Sequence, residues 1–529
     1  MSATSLLPAR VVVLGIDAAS PALVSRWMDD GTLPNLSALR ARGRYGDTRG
    51  IDGFFVGSTW PSLYTATNPA RHGVHYGLQL RPGSYEFQDP ASGDFVHGEP
   101  FWSRMSRAGR RIAILDVPLS RLDSSMNGIH VVEWGGHDAI FGFSAWPPSV
   151  ETTIATEFGA HPAGPSCDAA RRSPQDYERF VDALVRGVHT RTALTHRFLA
   201  GGDWDFFMQV FTESHCAGHQ CWHLHDRTHP AHDTQTVART GDPLLAVYGA
   251  IDAAIGDIIA AAGKATIIVF AAHGMAHWYG AGFLLRDILF RLNVARPVAT
   301  PATRPGIARK LWRSIPAATR ERLAPLRDLI LGARPAIAQA HSIGVDPAAS
   351  RCFAVPNGLA VGGIRLNVAG REPHGTLHAE EIDAFCRSLS ESLLEIVDER
   401  TGRPLVQRVL RTASSYRGDR LDALPDLLVE WSDDVATGST SVGSGTGARV
   451  RAHSPVIGSV EGMNDYGRTG EHRRDGFVIA AGPGITAAPL GSTPSIVDLA
   501  PTFCALVGVP FPDVDGRPIP ELIAPMTTA

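Results

Sequence analysis

Val11-Val12-Val13-Leu14-Gly15-Ile16-Asp17 is an unbroken apolar run, rich in β-branched residues, that stops at a carboxylate. A run this short, apolar at every position, fits a strand buried on both faces. A helical stretch follows near Pro21 to Met28, and runs of the same kind recur at Ile112–Leu115, Phe206–Val210, Thr266–Phe270, Leu427–Glu430 and Gly476–Ala480. Helical patterns such as Tyr177–Leu199 and Leu244–Ala262 lie between several of them. Strands alternating with helices predict an α/β fold: a mostly parallel central sheet covered by helices on both faces. Ligands of such sheets collect beyond the carboxyl ends of the strands, so a polar residue directly after a strand carries more weight than one elsewhere.

The rest of the chain is compatible with that core. Its 529 residues allow one large or two moderate domains, and 44% apolar with 19% charged residues excludes disorder of the whole chain. A net charge of −4 argues against a general polyanion binder, so no nucleic-acid partner is expected. Nothing approaches eighteen consecutive apolar residues, so no membrane span is expected. The N-terminus MSATSLLPAR has no basic region ahead of its apolar run and no small-residue cleavage site, which points to a cytoplasmic protein. Six cysteines without a CxxC pair do not build a disulfide framework or a cysteine-rich zinc site. Oligomeric state is left open.

One segment departs in composition. From Arg291 to His341 ten basic residues face two acidic ones, a balance of +8 that leaves −12 for the remainder. Prolines punctuate short amphipathic helices there, which reads as an inserted helical cap over residues 291–345. It would divide the core into a first part, 1–290, and a second part, 346–529, with an accessory α+β unit around 372–410. The basic surface reads first as solvated arginines and second as an anion-binding lid. Residues 437–447, TGSTSVGSGTG, read as a flexible loop.

Five polar sites sit at strand ends. Asp17 closes the first strand, placed for a metal or for capping the next helix. Ser58-Thr59-Trp60-Pro61-Ser62 starts a helix, where a hydroxyl is an N-cap or, with backbone N–H groups around it, an activated nucleophile. Thr212-Glu213-Ser214-His215-Cys216-Ala217-Gly218-His219 follows a strand, and two histidines four apart share a helix face and can bind one metal. His223, His225, His229 and His232 extend the stretch, as ligands or as a surface cluster. His273 follows the strand Thr266–Phe270, and His472 precedes Gly476–Ala480. Each alone reads as structural; their shared location does not.

With these pieces in order, the sequence resembles the type I phosphodiesterase/nucleotide pyrophosphatase family of the alkaline phosphatase superfamily along nearly its whole length. The matching strings are VVVLGIDAA, GTLPNLSALRARG, STWPSLYTATNPARHG, EWGGHD, TESHCAGHQCW, AAHGM, GIRLNVAGREPHG, LPDLLVEW, GEHRRDGFVIAAGPGI and SIVDLAPTFCALVGVPFPDVDGRPI. The resemblance implies an alkaline-phosphatase-like three-layer sandwich and a pair of divalent metals, usually zinc, at the carboxyl edge of the sheet. It makes Thr59 the nucleophile and a metal ligand, Asp17 the first-strand ligand, and His219, His273 and His472 three histidine ligands.

Two positions depart from the family pattern. The Asp of D-x-x-x-H is His215 here, and the Asp of S-D-H-G-M is Ala272. His215 keeps a ligand; Ala272 removes one. His215, His219 and His472 then form a neutral three-histidine set with one open position, like catalytic zinc sites that activate water. The second site is left with Asp17, His273 and Thr59, unless His277 replaces the missing carboxylate. One or two Zn2+ ions are expected, with iron or manganese as other candidates. Trp60, Trp134 and His137 are candidates for lining a substrate pocket. The expected function is metal-dependent hydrolysis of phosphodiester or diphosphate bonds in a small phosphate ester or nucleotide-like substrate, through the Thr59 nucleophile. The alternatives are a different reaction on a specialised small molecule and a non-catalytic metal-binding homologue. Sulfatase chemistry is excluded because Thr59-Trp60-Pro61-Ser62-Leu63 lacks both the Cys or Ser and the Arg it requires.

Overall fold

In the computed structural model, which describes residues 10–88, 96–135, 139–166, 168, 173–298, 343–437, 448–464 and 467–523, the run Val11–Ile16 is a strand buried at every residue. It lies in the middle of a nine-stranded sheet. In chain order the strands are β1 (Val11–Ile16), β2 (Arg44–Thr48), β3 (Ile112–Leu115), β4 (Gly128–Val132), β5 (Ser144–Trp146), β6 (Phe206–Phe211), β7 (Thr266–Ala271), β8 (Gly476–Ala481) and β9 (Ala488–Pro489). Their order across the sheet is β9-β2-β8-β7-β1-β6-β3-β4-β5. The five strands β7-β1-β6-β3-β4 are mutually parallel. β8 runs antiparallel to both its neighbours, and β5 is antiparallel at the far edge.

Alternate residues of β1 feed two different cores. Val12, Leu14 and Ile16 join Phe207, Ile267 and the helices Pro174–Ala200 and Pro243–Ala262 on one face. Val11 and Val13 join Met208, Ile268 and the helices Thr59–Thr65, Phe101–Arg107 and Leu499–Leu506 on the other. Each aliphatic side chain so buried contributes roughly 1.5–3 kcal/mol, which is why a six-residue run can anchor the sheet. The result is the expected three-layer α/β sandwich with a mostly parallel central sheet.

The strand expected at Leu427–Glu430 is present as Leu427–Trp431, but outside the central sheet. It pairs with Val361–Leu366 and Val406–Arg411, and with Cys352–Val355 they form a four-stranded antiparallel sheet. That sheet has its own core, with Ile364, Leu428, Val429 and the helix Ile382–Leu394. An apolar run buried on both faces looks the same in either sheet, so composition could not assign it. The cap expected at 291–345 falls mostly on residues outside the described ones, as does most of the loop 437–447.

One stretch, Thr234–Ala262, is long and apolar enough to cross a membrane by length and composition alone, a test that a core helix also passes, and Val247, Ile251, Ile255 and Ile258 within it lie in the core that β1 feeds. Occasional polar residues hid this from a count of consecutive apolar positions. Two of them hold neighbouring elements. Asp252 accepts hydrogen bonds from the Leu36 N–H (2.8 Å) and the Asn35 side chain (2.9 Å), and Tyr248 Oη accepts from the Ser20 N–H (2.9 Å).

Candidate functional site

Polar residues gather where the parallel strands end. Asp17 follows β1, Asp116 follows β3, Glu133 follows β4, Thr212 and Glu213 follow β6, and Ala272 and His273 follow β7. The helix Glu213–His225 starts there and carries His215 and His219 one turn apart on the same face. Opposite it, the strand Gly470–Arg473 pairs antiparallel with Gly274–His277, which puts His472 across from Met275. Helix and strand approach closely: a Cβ on Gly470 would lie 2.1 Å from the Gly218 carbonyl oxygen. Only glycine permits that contact, and through it the Gly470 carbonyl lies 2.8 Å from His219 Nδ1.

Three imidazole nitrogens meet in this space. His215 Nε2 is 2.7 Å from His472 Nε2 and 2.9 Å from His219 Nε2, and the last two are 3.2 Å apart. Their other nitrogens bear on the tautomers. A carbonyl oxygen can only accept, so His219 carries its proton on Nδ1 and presents a lone pair at Nε2. His215 Nδ1 faces Asp17 Oδ2 at 3.3 Å, and His472 Nδ1 faces Glu471 Oε1 at 3.6 Å. The Asp17 carboxylate favours the same tautomer in His215, whereas burial pushes the pKa of the Glu471 carboxyl up to about 7, so the lone pairs of His215 and His219 meet beside His472 Nε2. All three side chains are buried. A cation resolves that repulsion, and a carboxylate or carbonyl behind each ligating imidazole is the usual support of such a centre. Among the described residues, these three side chains are the one set of potential ligands whose donor atoms lie within 4.8 Å of each other.

The remaining expected residues are nearby with different partners. Asp17 Oδ1 accepts from the Trp60 indole N–H at 3.0 Å, so its carboxylate bridges Trp60 and His215. Thr59, at the start of the helix Thr59–Thr65, donates its hydroxyl to the Phe55 carbonyl at 2.7 Å. The His273 ring centroid is 4.7 Å from that of His472 and 6.3 Å from that of His215, and burial lowers its pKa to about 4. Ala272 is fully buried in the apolar cluster that holds Phe270 and Val478.

The two tryptophans expected to line a pocket are both buried. Trp60 is 4% exposed, with its ring edge-on to Phe270, and its polar atom is engaged with Asp17. Trp134 is 6% exposed, donates its indole N–H to the Gly159 carbonyl at 2.8 Å and packs edge-on against His161. An aromatic residue in a motif looks alike whether it lines a pocket or fills a core. His137 lies outside the described residues. His277 does not replace the missing carboxylate: its Nε2 lies 2.9 Å from the Asp433 carbonyl oxygen. His223 is buried rather than part of a surface cluster, with Nδ1 3.1 Å from Thr469 Oγ1, and His225 faces Asp242 at 2.6 Å.

Two charged groups were missed. Buried Arg191 reaches Asp116 (2.5 Å), Glu213 (3.0 Å) and Thr212 Oγ1 (3.1 Å). Burial opposes ionisation of Glu213, but Arg191 and His161 outweigh it and hold its pKa at about 2. This network fixes the first turn of the helix that carries His215. Arg468 is the second group: Nη1 lies 3.2 Å from His219 Nε2, while Nε and Nη2 donate to Asp168 at 2.9 and 2.8 Å. The available signal was its position four residues before His472.

The family described as type I phosphodiesterase / nucleotide pyrophosphatase matches residues 11–440. No curated protein matches the sequence. Among solved structures, the chain is similar to phosphonoacetate hydrolase from Sinorhizobium meliloti 1021 in complex with phosphonoformate, at 14% identity, 95% of each chain and a TM-score of 0.49. It is also similar to murine ectonucleotide pyrophosphatase / phosphodiesterase 5, at 12% identity, 96% of this chain, 97% of that one and a TM-score of 0.46. An inactive form of the murine protein in complex with AMP matches at 11% identity over the same shares, with a TM-score of 0.45.

Proposed function

Because this chain belongs to the type I phosphodiesterase / nucleotide pyrophosphatase family, a family of hydrolases, we propose that it hydrolyses phosphodiester or diphosphate bonds of a small molecule, with a divalent cation held by His215, His219 and His472 and Thr59 as nucleophile. The observation that carries this reading is the convergence of three imidazole nitrogens at the carboxyl edge of the sheet, where Asp17 faces His215 and accepts from Trp60, the residue next to Thr59 in sequence.

A bound cation supplies Lewis-acid stabilisation of the charge that develops on the phosphoryl oxygens. Three neutral imidazoles suit zinc and leave its charge undiminished. The Gly470 carbonyl orients His219, and the Asp17 carboxylate lies 3.3 Å from His215 Nδ1. Thr59 Oγ1 attacks phosphorus, the bond from phosphorus to the leaving oxygen breaks, and that oxygen takes up the proton Thr59 gives up. Water then attacks the phosphothreonine, the Thr59 hydroxyl is restored and the phosphorylated product leaves. The set favours one tightly held cation, since Asp17 faces Trp60 and His215 and Ala272 offers no donor.

The test is zinc content together with hydrolysis of bis(4-nitrophenyl) phosphate, on wild-type protein and Thr59→Ala. Thr59→Ala is expected to keep its zinc and lose activity by a factor on the order of 10³. Substantial activity in that variant rejects the covalent route in favour of direct attack by water. Wild-type protein with neither zinc nor hydrolysis rejects the whole reading.

A further inference from the structure

The chain changes cores just ahead of Thr59. Ile51, Phe54 and Phe55 are buried in the core of the four-stranded antiparallel sheet, with Leu428 and Trp431, whereas Trp60, Leu63 and Tyr64 are buried against the central sheet. Thr59 lies at the crossing, and its hydroxyl donates back to the Phe55 carbonyl at 2.7 Å. A loop that belongs to the second sheet's core thus sets the direction of Thr59 Oγ1. That loop is held through its peptide groups. Tyr416 Oη donates to the Asp52 carbonyl at 2.7 Å, the Gly53 N–H donates to Glu430 Oε1 at 2.9 Å, and Asn357 Nδ2 donates to the Gly53 carbonyl at 2.9 Å. Gly53 has a φ of +69°, and a Cβ there would lie 2.4 Å from Leu428 Cδ1. The loop therefore meets the strand Leu427–Trp431 as closely as glycine permits.

We propose that Glu430 is a positioning residue for the Thr59 nucleophile: by accepting the Gly53 N–H it fixes the turn 51–55, whose Phe55 carbonyl holds the Thr59 hydroxyl. This rests on the reading under Proposed function. Glu430 is itself held in place. From the neighbouring strand Val406–Arg411, Arg408 donates Nε to Oε2 at 2.5 Å and Nη2 to Oε1 at 2.9 Å. The same guanidinium reaches Asp52 Oδ1 at 2.7 Å, and Arg474 Nη1 donates to that oxygen at 2.6 Å. Arg474 directly follows the strand Gly470–Arg473, which carries His472. Asp52 thereby refers the turn to the imidazole cluster as well as to the second sheet. From the turn the chain passes straight into the nucleophile's helix. The Phe54 N–H donates to the Ile51 carbonyl at 3.2 Å, and the Ser58 N–H donates to the Phe54 carbonyl at 3.0 Å. Displacement at phosphorus requires Oγ1 in line with the leaving oxygen, and a misplacement of ~1 Å costs on the order of 10² in rate. A carboxylate that pins one peptide group six residues ahead of Thr59 therefore acts on the reaction through geometry alone.

The experiment compares zinc-loaded wild-type protein with Glu430→Met, Glu430→Gln and Tyr416→Phe in three readouts: zinc equivalents per chain, kcat and KM on bis(4-nitrophenyl) phosphate, and amide hydrogen exchange of peptides covering 51–60 and 213–225. Glu430→Met loses the acceptor for the Gly53 N–H. It is expected to keep its zinc, hold KM within about twofold, lose on the order of 10–10² in kcat and exchange faster over 51–60 only. Glu430→Gln keeps an acceptor oxygen and is expected to recover most of kcat. Tyr416→Phe removes one hydrogen bond from the same turn and keeps the ring; a loss of roughly two- to fivefold in kcat is expected, and it stands in for the Met variant if that one does not fold. Unchanged kcat in both Glu430→Met and Tyr416→Phe overturns the proposal. So does an equal loss in Glu430→Gln and Glu430→Met, which makes the charge beside Arg408 the operative element. So does loss of zinc, or faster exchange spread equally over 213–225, which makes Glu430 a support of the fold at large. If the wild type hydrolyses nothing, the proposed function fails, while exchange over 51–60 in Glu430→Met still decides whether Glu430 fixes the turn, and unchanged exchange there overturns it.

Discussion

Two buried polar clusters, one of Ser58, Ser62 and His72 and one of His215, His219 and His472, differ in one respect. In the first, His72 Nδ1 accepts the Val74 N–H at 3.1 Å, while Nε2 lies 2.8 Å from Ser62 Oγ and 3.3 Å from Ser58 Oγ, and the Ser58 hydroxyl donates on to the Val74 carbonyl at 2.9 Å. Every group there has a complementary partner from the chain itself. In the second, His215 and His219 turn acceptors toward each other beside His472 Nε2. Both clusters are buried and both contain imidazole. The first closes on itself and is structural; in the second the Arg468 guanidinium reaches His219 Nε2, and the proposed cation would complete the set. Self-complementarity, more than residue type or burial, separates a core network from a ligand site.

Exchanging one histidine in each cluster breaks the comparison most directly. His219→Ala is expected to reduce zinc well below one equivalent and hydrolysis by a factor on the order of 10³ or more, with little change in the stability of the zinc-free protein. His72→Gln is expected to keep zinc and activity and lose about 1–3 kcal/mol of unfolding free energy, because Ser58 or Ser62 loses its partner. Chemical denaturation in chelator, read beside elemental analysis, gives both quantities. Loss of zinc from His72→Gln with full retention in His219→Ala would reverse the assignment.

A smaller effect comes from Ala272→Asp. In chelator, a carboxylate placed among Phe270 and Val478 is expected to cost roughly 1–3 kcal/mol. Added zinc should restore the difference only if the new side chain reaches a cation together with His273. Recovery would show that a second site is latent; no recovery would show that repacking around alanine has closed it. Unfolding midpoints with and without zinc distinguish the two.

The smallest effect is a pH slope. Burial pushes the pKa of His72 down to about 3, from an unfolded value of 6.5. The folded state binds fewer protons than the unfolded one between those values, so the contribution of His72 is fully present above pH 6.5 and declines as pH falls toward 3. The decline is at most about 1.4 kcal/mol per pH unit. Unfolding free energies measured across this window should be less steep in His72→Gln, and an unchanged slope would mean that His72 is already charged in the folded protein.

Particular residues show how far the sequence could be read. Val11–Ile16 was legible because six consecutive buried residues match one pattern only, a strand inside a sheet. Leu427–Trp431 matched the same pattern and belongs to another sheet, since strand pairing is a long-range choice. The shared face of His215 and His219 follows from helix periodicity and needed no fold. Trp60 and Trp134 read two ways in sequence because a large aromatic is equally at home in a pocket wall or a core, and both are buried. Arg468 left almost no trace, because a guanidinium acquires its meaning from what it faces.

By itself the sequence determined the strand-helix alternation, the polar residues at the strand ends, the two departures at His215 and Ala272, and the resemblance that names the family. Local periodicity and residue chemistry suffice for those. Only the tertiary structure decided the direction of the His215 and His219 lone pairs, the bridging of Asp17 between Trp60 and His215, the apolar surroundings of Ala272 and the presence of Arg468 beside His219. Each of these is set by side chains tens to hundreds of residues apart in sequence, whose hydrogen bonds exist only once the sheet has brought its carboxyl ends together.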